Sequence, residues 1–82
     1  MWVLNIHNFF IKLTELEVGD IACIKSINCE NNLLIHLMEL GLVSNTLIKV
    51  INKSNYLITI SFRNTNLTLT KDIGDNIDCF NR

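Results

Sequence analysis

Residues 33–42, which read LLIHLMELGL, decide how this chain is organised. Apolar side chains recur there at three- and four-residue steps, the spacing that places them on one face of an α-helix. Gly41 follows the last apolar turn, where helices commonly end on a residue in the left-handed conformation. Before the stretch, Asn31 or Asn32 can cap the first turn. We therefore predict one helix over residues 33–40 that ends at Gly41.

Apolar runs rich in β-branched residues flank this helix on both sides, and such runs are typical of strands. One strand is predicted over residues 21–27, after the turn signal Gly19-Asp20. Four more are predicted at residues 46–51, 56–62, 67–69 and 77–80. Five short strands with one inserted helix indicate a mainly β fold, a small barrel whose closure removes exposed sheet edges.

Alternation within the strand at residues 56–62 predicts which side chains face inward. Every second residue of this strand is predicted to face inward, the pattern of a strand with one buried face. These residues are Tyr56, Ile58, Ile60 and Phe62. Asn64-Thr65 is predicted to form the following hairpin turn, because Asn tolerates a positive φ. Leu67 and Leu69 then return on the inward face.

Composition limits the functions that the chain can have. At 82 residues there is room for one domain, and 49% apolar residues supply its core. The net charge is −1, so the chain lacks the excess of basic residues that is typical of nucleic-acid-binding proteins. The three cysteines show no C-x-x-C spacing, which favours a reducing cytosol over a disulfide framework or a thiolate zinc cage.

Residues 1–12 are predicted to be an apolar extension that precedes a domain over residues 13–82. Within and just after it, Trp2, Ile6, Phe9 and Leu13 follow a helical period, so a short amphipathic helix is expected to lie over the barrel or in a homodimer interface. Docking on a membrane surface is the alternative, and Lys12 alone supplies basic charge for it. The segment is too short to cross a bilayer and lacks the features of a signal peptide.

Motifs along most of the chain resemble those of the FeoA family of small ferrous-iron transport accessory proteins. They are a Leu-x-x-Leu-x-x-Gly opening at Leu13, Leu16 and Gly19, the helix ending Leu-Gly-Leu, and a Thr-x-Ile-x-Val strand at residues 46–50. The resemblance runs from Leu13 to about Cys79. It departs from the family pattern at four places: His36 replaces an arginine, Ser44-Asn45 replaces Pro-Gly, Asn64 replaces a hairpin glycine, and Gly74 replaces an alanine.

The resemblance implies an SH3-like barrel and a non-enzymatic protein at the inner face of the membrane. Its implied partner is the cytosolic part of a FeoB-type transporter, which carries a GTP-binding domain in that family. A second hypothesis is a metal-sensing regulatory domain related to the C-terminal barrel of metal-dependent repressors. A small RNA-binding barrel is disfavoured by the near-neutral charge and the absence of a basic aromatic face.

Catalysis and metal binding receive little support from the side chains present. Glu15 and Glu17, the best carboxylate pair, precede a turn and are expected to be solvated charges. Capable metal ligands are present at His7, His36, Cys23, Cys29 and Cys79. Cys23 and Cys79 fall inside strands, where a thiol usually behaves as a small buried hydrophobe. Cys29 and His36 could form only a weak two-ligand site, so any association with Fe(II) is expected to be indirect.

The helix gives a candidate surface for binding a partner. Leu33, Leu34, Leu37, Met38 and Leu40 form an apolar arc that is expected to face the core. This leaves Ile35, His36 and Glu39 outside beside Leu42, a mixed apolar and polar patch suited to protein contact. An isolated exposed isoleucine is also ordinary on protein surfaces.

Overall fold

The computed structural model describes residues 10–81, which form one antiparallel sheet with a helix inserted between its strands. The strands are β1 (Phe10–Lys12), β2 (Ile21–Ile27), β3 (Leu47–Lys53), β4 (Leu57–Phe62), β5 (Thr65–Thr70) and β6 (Ile77–Asn81). The helices are α1 (Asn31–Leu40) and α2 (Lys71–Gly74), and Leu13–Glu15 forms a 3-10 turn. The spatial order is β1-β6-β2-β3-β4-β5. The mainly β prediction is confirmed.

The sheet curls around one core built from alternate residues of its strands. Val50, Ile58, Ile60 and Phe62 are buried, as the period-two pattern predicts. The core continues into residues of other elements: Leu13, Leu16, Ala22, Ile24, Leu37, Leu42, Ile48, Leu69, Ile77 and Cys79. Leu67 packs against this core from a half-buried position.

The 3-10 turn and α2 lie between β1 and β5, the two edge strands of the described sheet. Gly74 of α2 approaches Thr14, and the Thr14 hydroxyl donates a hydrogen bond to the carboxylate of Asp75. The Thr70 hydroxyl caps α2 by accepting from the amide of Ile73 at 3.4 Å. β1 and β5 are not paired with each other in the described sheet, and α2, which follows β5, contacts the 3-10 turn that follows β1.

Two turns that were predicted at residues other than glycine contain positive φ angles in the structure. Asn45 has a φ of 73°, which confirms that Ser44-Asn45 can replace a Pro-Gly turn. The β4–β5 turn is centred on Arg63 and Asn64, whose φ angles are 48° and 63°, and Phe62 pairs with Thr65. The prediction of an Asn64-Thr65 turn is therefore wrong by one residue, because Thr65 is already the first residue of β5.

Several other sequence predictions are corrected. Helix α1 begins at Asn31, and its N-cap is Glu30, which makes no side-chain capping bond, so neither Asn31 nor Asn32 is the cap. Tyr56 precedes β4 and is 80% exposed, because the inward alternation starts only at Ile58. Six strands are present in residues 10–81 rather than five, since residues 10–12, assigned above to the extension, form β1.

The helical period at the N-terminus does not reach Leu13, which is buried in the 3-10 turn that follows β1. The other residues of that predicted helix, Trp2, Ile6 and Phe9, lie outside the described residues. So does one candidate metal ligand, His7.

Candidate docking site

Helix α1 ends in a pair of backbone hydrogen bonds that reverse the chain. Gly41 has a φ of 98°, and its amide donates to the Met38 carbonyl at 2.9 Å. The next amide, that of Leu42, donates to the Leu37 carbonyl at 2.9 Å. This pair of bonds is the Schellman ending, in which the residue after the glycine packs against the helix residue five positions earlier.

The Schellman ending explains why one predicted surface residue is internal. Leu42 was expected to lie outside, yet its side chain is 0% exposed. Its partner in the motif, Leu37, is likewise buried. The prediction of Leu42 as an exposed contact is therefore wrong, because the chain reverses at Gly41 and turns Leu42 into the core.

Met38 departs from the prediction in the opposite way, because it was expected to face the core but is exposed. Of the arc that was expected to face the core, Leu37 is buried and Leu33, Leu34 and Leu40 are half-buried, but Met38 is 52% exposed. Ile35, one turn earlier, is 54% exposed, as predicted. The two side chains are three residues apart, which makes them neighbours on the helix surface. An apolar pair therefore faces solvent on α1.

An apolar groove of about 410 Å³ lies between α1 and β2, next to this pair. Leu34 and Met38 line it from the helix, and Ser26 and Ile27 line it from the strand. The loop after the helix supplies the remaining lining residues, Leu42, Val43 and Ser44.

The wall formed by that loop is held in place by hydrogen bonds to β2. The Ser44 hydroxyl donates to the Lys25 carbonyl at 3.0 Å, and the Asn45 amide donates to the Ile24 carbonyl at 2.7 Å. Because backbone and side-chain donors both bind β2, the groove is a built feature of the fold.

The polar members of the predicted patch, His36 and Glu39, lie on the helix and are largely exposed. His36 Nδ1 lies 4.0 Å from Glu39 Oε1, and the two side chains are 67% and 72% exposed. An exposed pair at this distance contributes little to stability. His36 and Glu39 are therefore free to contact a partner.

A second cleft, of about 280 Å³, lies on another part of the molecule. It is lined by Asn55, Tyr56, Thr70, Lys71 and Asp72. Each of its lining side chains carries a polar group, whereas most of the side chains that line the groove beside α1 are aliphatic or methionine.

The candidate metal ligands that the structure describes do not converge. Within residues 10–81 there is no group of three or more His, Cys, Asp or Glu side chains arranged to hold a metal ion. Cys29 packs against the core, whereas His36 lies in solvent.

The cysteines differ in their surroundings. Burial and the neighbouring charge of Asp78 raise the pKa of the Cys79 thiol to about 12. The pKa of Cys29 is also raised, by burial and then by the charge of Glu30. Both groups are thus neutral thiols near pH 7, and thiols bind metals only as thiolates. Cys79 is buried as predicted, but Cys23 is only half-buried, because it lies on the outer face of β2.

No helix within the described residues is long and apolar enough to span a membrane.

Comparison with known proteins decides the family. A model of the FeoA domain matches residues 11–79, which is most of the chain. The chain belongs to the FeoA domain family. A search of curated protein sequences returned no match.

Solved structures of FeoA proteins share the fold. The solution structure of FeoA from Chlorobium tepidum is 29% identical, with a TM-score of 0.82 over 87% of this chain and 70% of that one. A crystal structure of an iron uptake regulatory protein, FeoA, is 20% identical, with a TM-score of 0.80 over 89% of this chain and 99% of that one. The SH3-like FeoA fold is thereby confirmed.

The same fold occurs within a larger type of protein. A manganese-dependent transcriptional repressor is 13% identical, with a TM-score of 0.80 over 89% of this chain but only 42% of the repressor. At this identity the likeness concerns the fold alone.

Sequence reasoning missed the groove and Met38. The signal that could have indicated Met38 was Ile35, which is three residues away on the same helix and was predicted to be exposed. Nothing in the sequence by itself indicated that the loop at residues 42–44 would form the opposite wall.

Proposed function

We propose that this chain is a non-enzymatic accessory protein of ferrous-iron uptake, which acts by docking α1 and its groove on the cytosolic part of a FeoB-type transporter. Membership of the FeoA family supports the role in iron transport. Under this proposal the chain works in the cytosol, at the inner face of the membrane, and takes part in iron transport without holding the ion in a dedicated site.

The observation that carries the proposal is the exposed pair Ile35 and Met38 on α1, of which Met38 lines the apolar groove. Methionine is enriched at protein interfaces, since its unbranched side chain adapts to the surface of a partner. The groove offers a concave apolar centre. His36 and Glu39 are exposed polar side chains elsewhere on the same helix. Protein interfaces typically combine an apolar centre with polar contacts around it.

Binding to the isolated cytosolic GTP-binding part of a FeoB-type transporter tests the proposal. We expect the full chain to bind, and Met38→Glu or Ile35→Glu to weaken binding by at least about tenfold, because each places a charge in an apolar contact. Both side chains are about half exposed, so the variants should unfold at nearly the same temperature as the parent chain.

Tyr56→Ala is the matched control, because Tyr56 is exposed and lies on the second cleft. It should bind as the parent chain does. Failure of the parent chain to bind, or equal binding by Met38→Glu and Ile35→Glu, would overturn the docking proposal.

The second candidate is a metal-sensing regulatory domain, which the shared fold of the manganese-dependent repressor favours. Calorimetry with Fe(II) separates the two candidates. Tight, saturable binding that His36→Ala abolishes would support the sensor. Binding of the transporter part with no dependence on added Fe(II) would support the accessory protein.

A further inference from the structure

An apolar row crosses the outer face of the sheet, on residues that the docking proposal does not use. Phe10 of β1 pairs with Phe80 of β6, Phe80 pairs with Cys23 of β2, and Cys23 pairs with Leu47 of β3. One residue from each of four adjacent strands thus lies in a single line. We call these four residues the outer row.

The outer row presents apolar side chains to solvent. Phe10 is 55% exposed and Leu47 is 50% exposed, while Phe80 and Cys23 are half-buried between them. Ile21, two residues from Cys23 on the same face of β2, is 43% exposed and widens the apolar surface. Adjacent exposed apolar side chains, when bordered by polar residues, typically mark a contact with a protein or a membrane.

Three lysines lie on the same face, beside the outer row. The Lys25 ammonium lies 4.7 Å from the centre of the Phe10 ring. Lys12 is two residues from Phe10 on β1, and Lys49 is two residues from Leu47 on β3. Because alternate residues of a strand share a face, both lysines lie on the face of the row. Strand pairing thus brings together three charges that are far apart in sequence.

Charge is distributed unevenly between the strands and the rest of the described chain. Asp78 is the single acidic residue within the six strands. The remaining lysine of the strands, Lys53, is directed elsewhere, since its ammonium donates to the Leu16 carbonyl at 2.8 Å. The other acidic residues within 10–81 lie outside the strands: Glu15, Glu17, Asp20, Glu30, Glu39, Asp72 and Asp75.

The strand residues of the outer face are therefore basic in a chain that is not. Three lysines against one aspartate give them a net charge of +2, whereas the whole chain carries −1. A ligand that matches this face must combine negative charge with an apolar interior.

We propose that the outer row and its three lysines bind the surface of an anionic lipid bilayer. In this contact the apolar side chains enter the boundary between headgroups and acyl chains, and the ammonium groups meet the lipid phosphates. Lysine suits such a position, because its aliphatic stem lies along apolar surface while its charge stays in water.

The type of basic residue favours a lipid surface over a protein partner. The basic residues of the outer face are lysines, and no arginine lies among its strand residues. Lysine is depleted at protein interfaces, where arginine is enriched, whereas clustered lysines are attracted to anionic lipids.

The shape of the face favours lipid as well. The sheet curls around the core, so its outer side is convex. Neither of the two cavities described above is lined by a member of the outer row or by Lys12, Lys25 or Lys49. Protein interfaces usually seat their strongest contacts in pockets. A fluid layer of headgroups adapts to a convex surface and needs no pocket.

The lipid contact is independent of the docking proposal. Ile35 and Met38 lie on α1, and neither belongs to the outer face. Both surfaces can therefore be occupied at once. Vesicles that contain no protein test the lipid contact alone, so either proposal can fail while the other stands.

Co-sedimentation of the full chain with vesicles tests the proposal. Vesicles of phosphatidylcholine are compared with vesicles of equal parts phosphatidylcholine and phosphatidylglycerol. We expect binding to the anionic vesicles to be at least about tenfold tighter, since each lysine near such a surface strengthens binding about fivefold. Raising the salt from about 0.1 M to about 1 M should remove most of this difference, because the Debye length falls from about 10 Å to about 3 Å.

Lys49→Gln tests the charge of the face. It should weaken binding to the anionic vesicles about fivefold, because one of the three lysines is lost. Lys71→Gln is the matched control, since it removes the same charge from α2, outside this face. It should weaken binding by less than about twofold, because a distant charge is screened by salt.

Leu47→Asn tests the apolar part and leaves every charge in place. It should weaken binding to the anionic vesicles about tenfold, because an amide replaces a side chain that enters the lipid. Leu57→Asn is the matched control, since Leu57 is 44% exposed on β4 and outside the row, and it should bind as the parent chain does. Thermal unfolding checks that all four variants are folded.

Three results would overturn the proposal. The first is a parent chain that binds anionic vesicles no more tightly than neutral ones. The second is binding by Lys49→Gln and Leu47→Asn that equals that of the parent chain, which would place the lipid contact elsewhere. The third is a loss in Lys49→Gln that concerns only binding to the cytosolic part of the transporter, which would assign the face to an acidic protein surface.

Discussion

The Thr46 hydroxyl donates a hydrogen bond to the carbonyl of Gly41 at 3.2 Å and so joins the end of α1 to the start of β3. The same oxygen accepts from the Val43 amide at 3.2 Å. Thr46 is 2% exposed, so both bonds are shielded from water. One side chain therefore satisfies two backbone groups of the loop that forms a wall of the candidate docking groove.

Thr46→Val should lower the free energy of unfolding by about 1–3 kcal/mol, since it leaves those two groups without their partner while preserving the shape of the side chain. Urea unfolding measures the change. Thr68→Val is the control, because Thr68 is exposed and its hydroxyl contacts only Thr59 on the outer face. A loss no larger than that of the control would contradict the role assigned to Thr46.

Gly41→Ala should destabilise the protein by about 1–2 kcal/mol, because a φ of 98° is unfavourable for a residue with a Cβ atom. The added methyl group itself has room, as its nearest contacts are the Arg63 side chain at 3.7 Å. The cost is therefore conformational, and Gly41→Asn should cost less than Gly41→Ala in the same unfolding experiment. Equal losses would indicate crowding instead.

Gly74→Ala should stabilise the protein only when Thr14 is also changed. A Cβ at position 74 would lie 2.9 Å from Cγ2 of Thr14, which is too close. Thr14→Ser removes that methyl group and keeps the hydroxyl that binds Asp75. In the Thr14→Ser background, Gly74→Ala should gain about 0.5–1 kcal/mol from reduced backbone freedom. A double-mutant cycle by thermal unfolding measures the coupling, and additive effects would contradict it.

Cys79 should make stability fall at alkaline pH. In the unfolded chain its thiol ionises near its ordinary pKa of 9.0, whereas in the folded protein the pKa is raised to about 12. Below pH 9 both states hold the proton, so nothing is lost. Between these values only the unfolded state releases it, and stability should drop by up to about 1.4 kcal/mol per pH unit.

Cys79→Ala provides the comparison for that experiment, because other groups also titrate in alkaline solution. The variant should be less stable near pH 7, since it loses a buried side chain, but its stability should fall less steeply between pH 9 and 11. Parallel curves for the two proteins would show that the pKa of Cys79 does not differ between the folded and unfolded states, and would contradict the prediction.

Local signals in the sequence predicted much of the fold. The strand over residues 21–27 and the end of α1 at Gly41 agree with the structure, because alternation and a left-handed glycine act within a few residues. Errors occurred where two local signals competed. The β4–β5 turn moved to Arg63-Asn64 because pairing of Phe62 with Thr65 fixed the register of the hairpin.

The candidate docking site was only partly predictable. Ile35, His36 and Glu39 are exposed as predicted, because they follow directly from helical geometry. Leu42 is buried and Met38 is exposed, the reverse of what was predicted. The reason is that burial near a helix depends on which elements pack against it.

The sequence by itself determined the elements, the apolar alternation and the motifs that place the chain in its family, because these depend on spacing along the chain. The tertiary structure alone decided that the loop after Gly41 would face α1 across a groove, and that Phe10, Phe80, Cys23 and Leu47 would form one row. Both features join residues that are distant in sequence, and strand order and register bring them together.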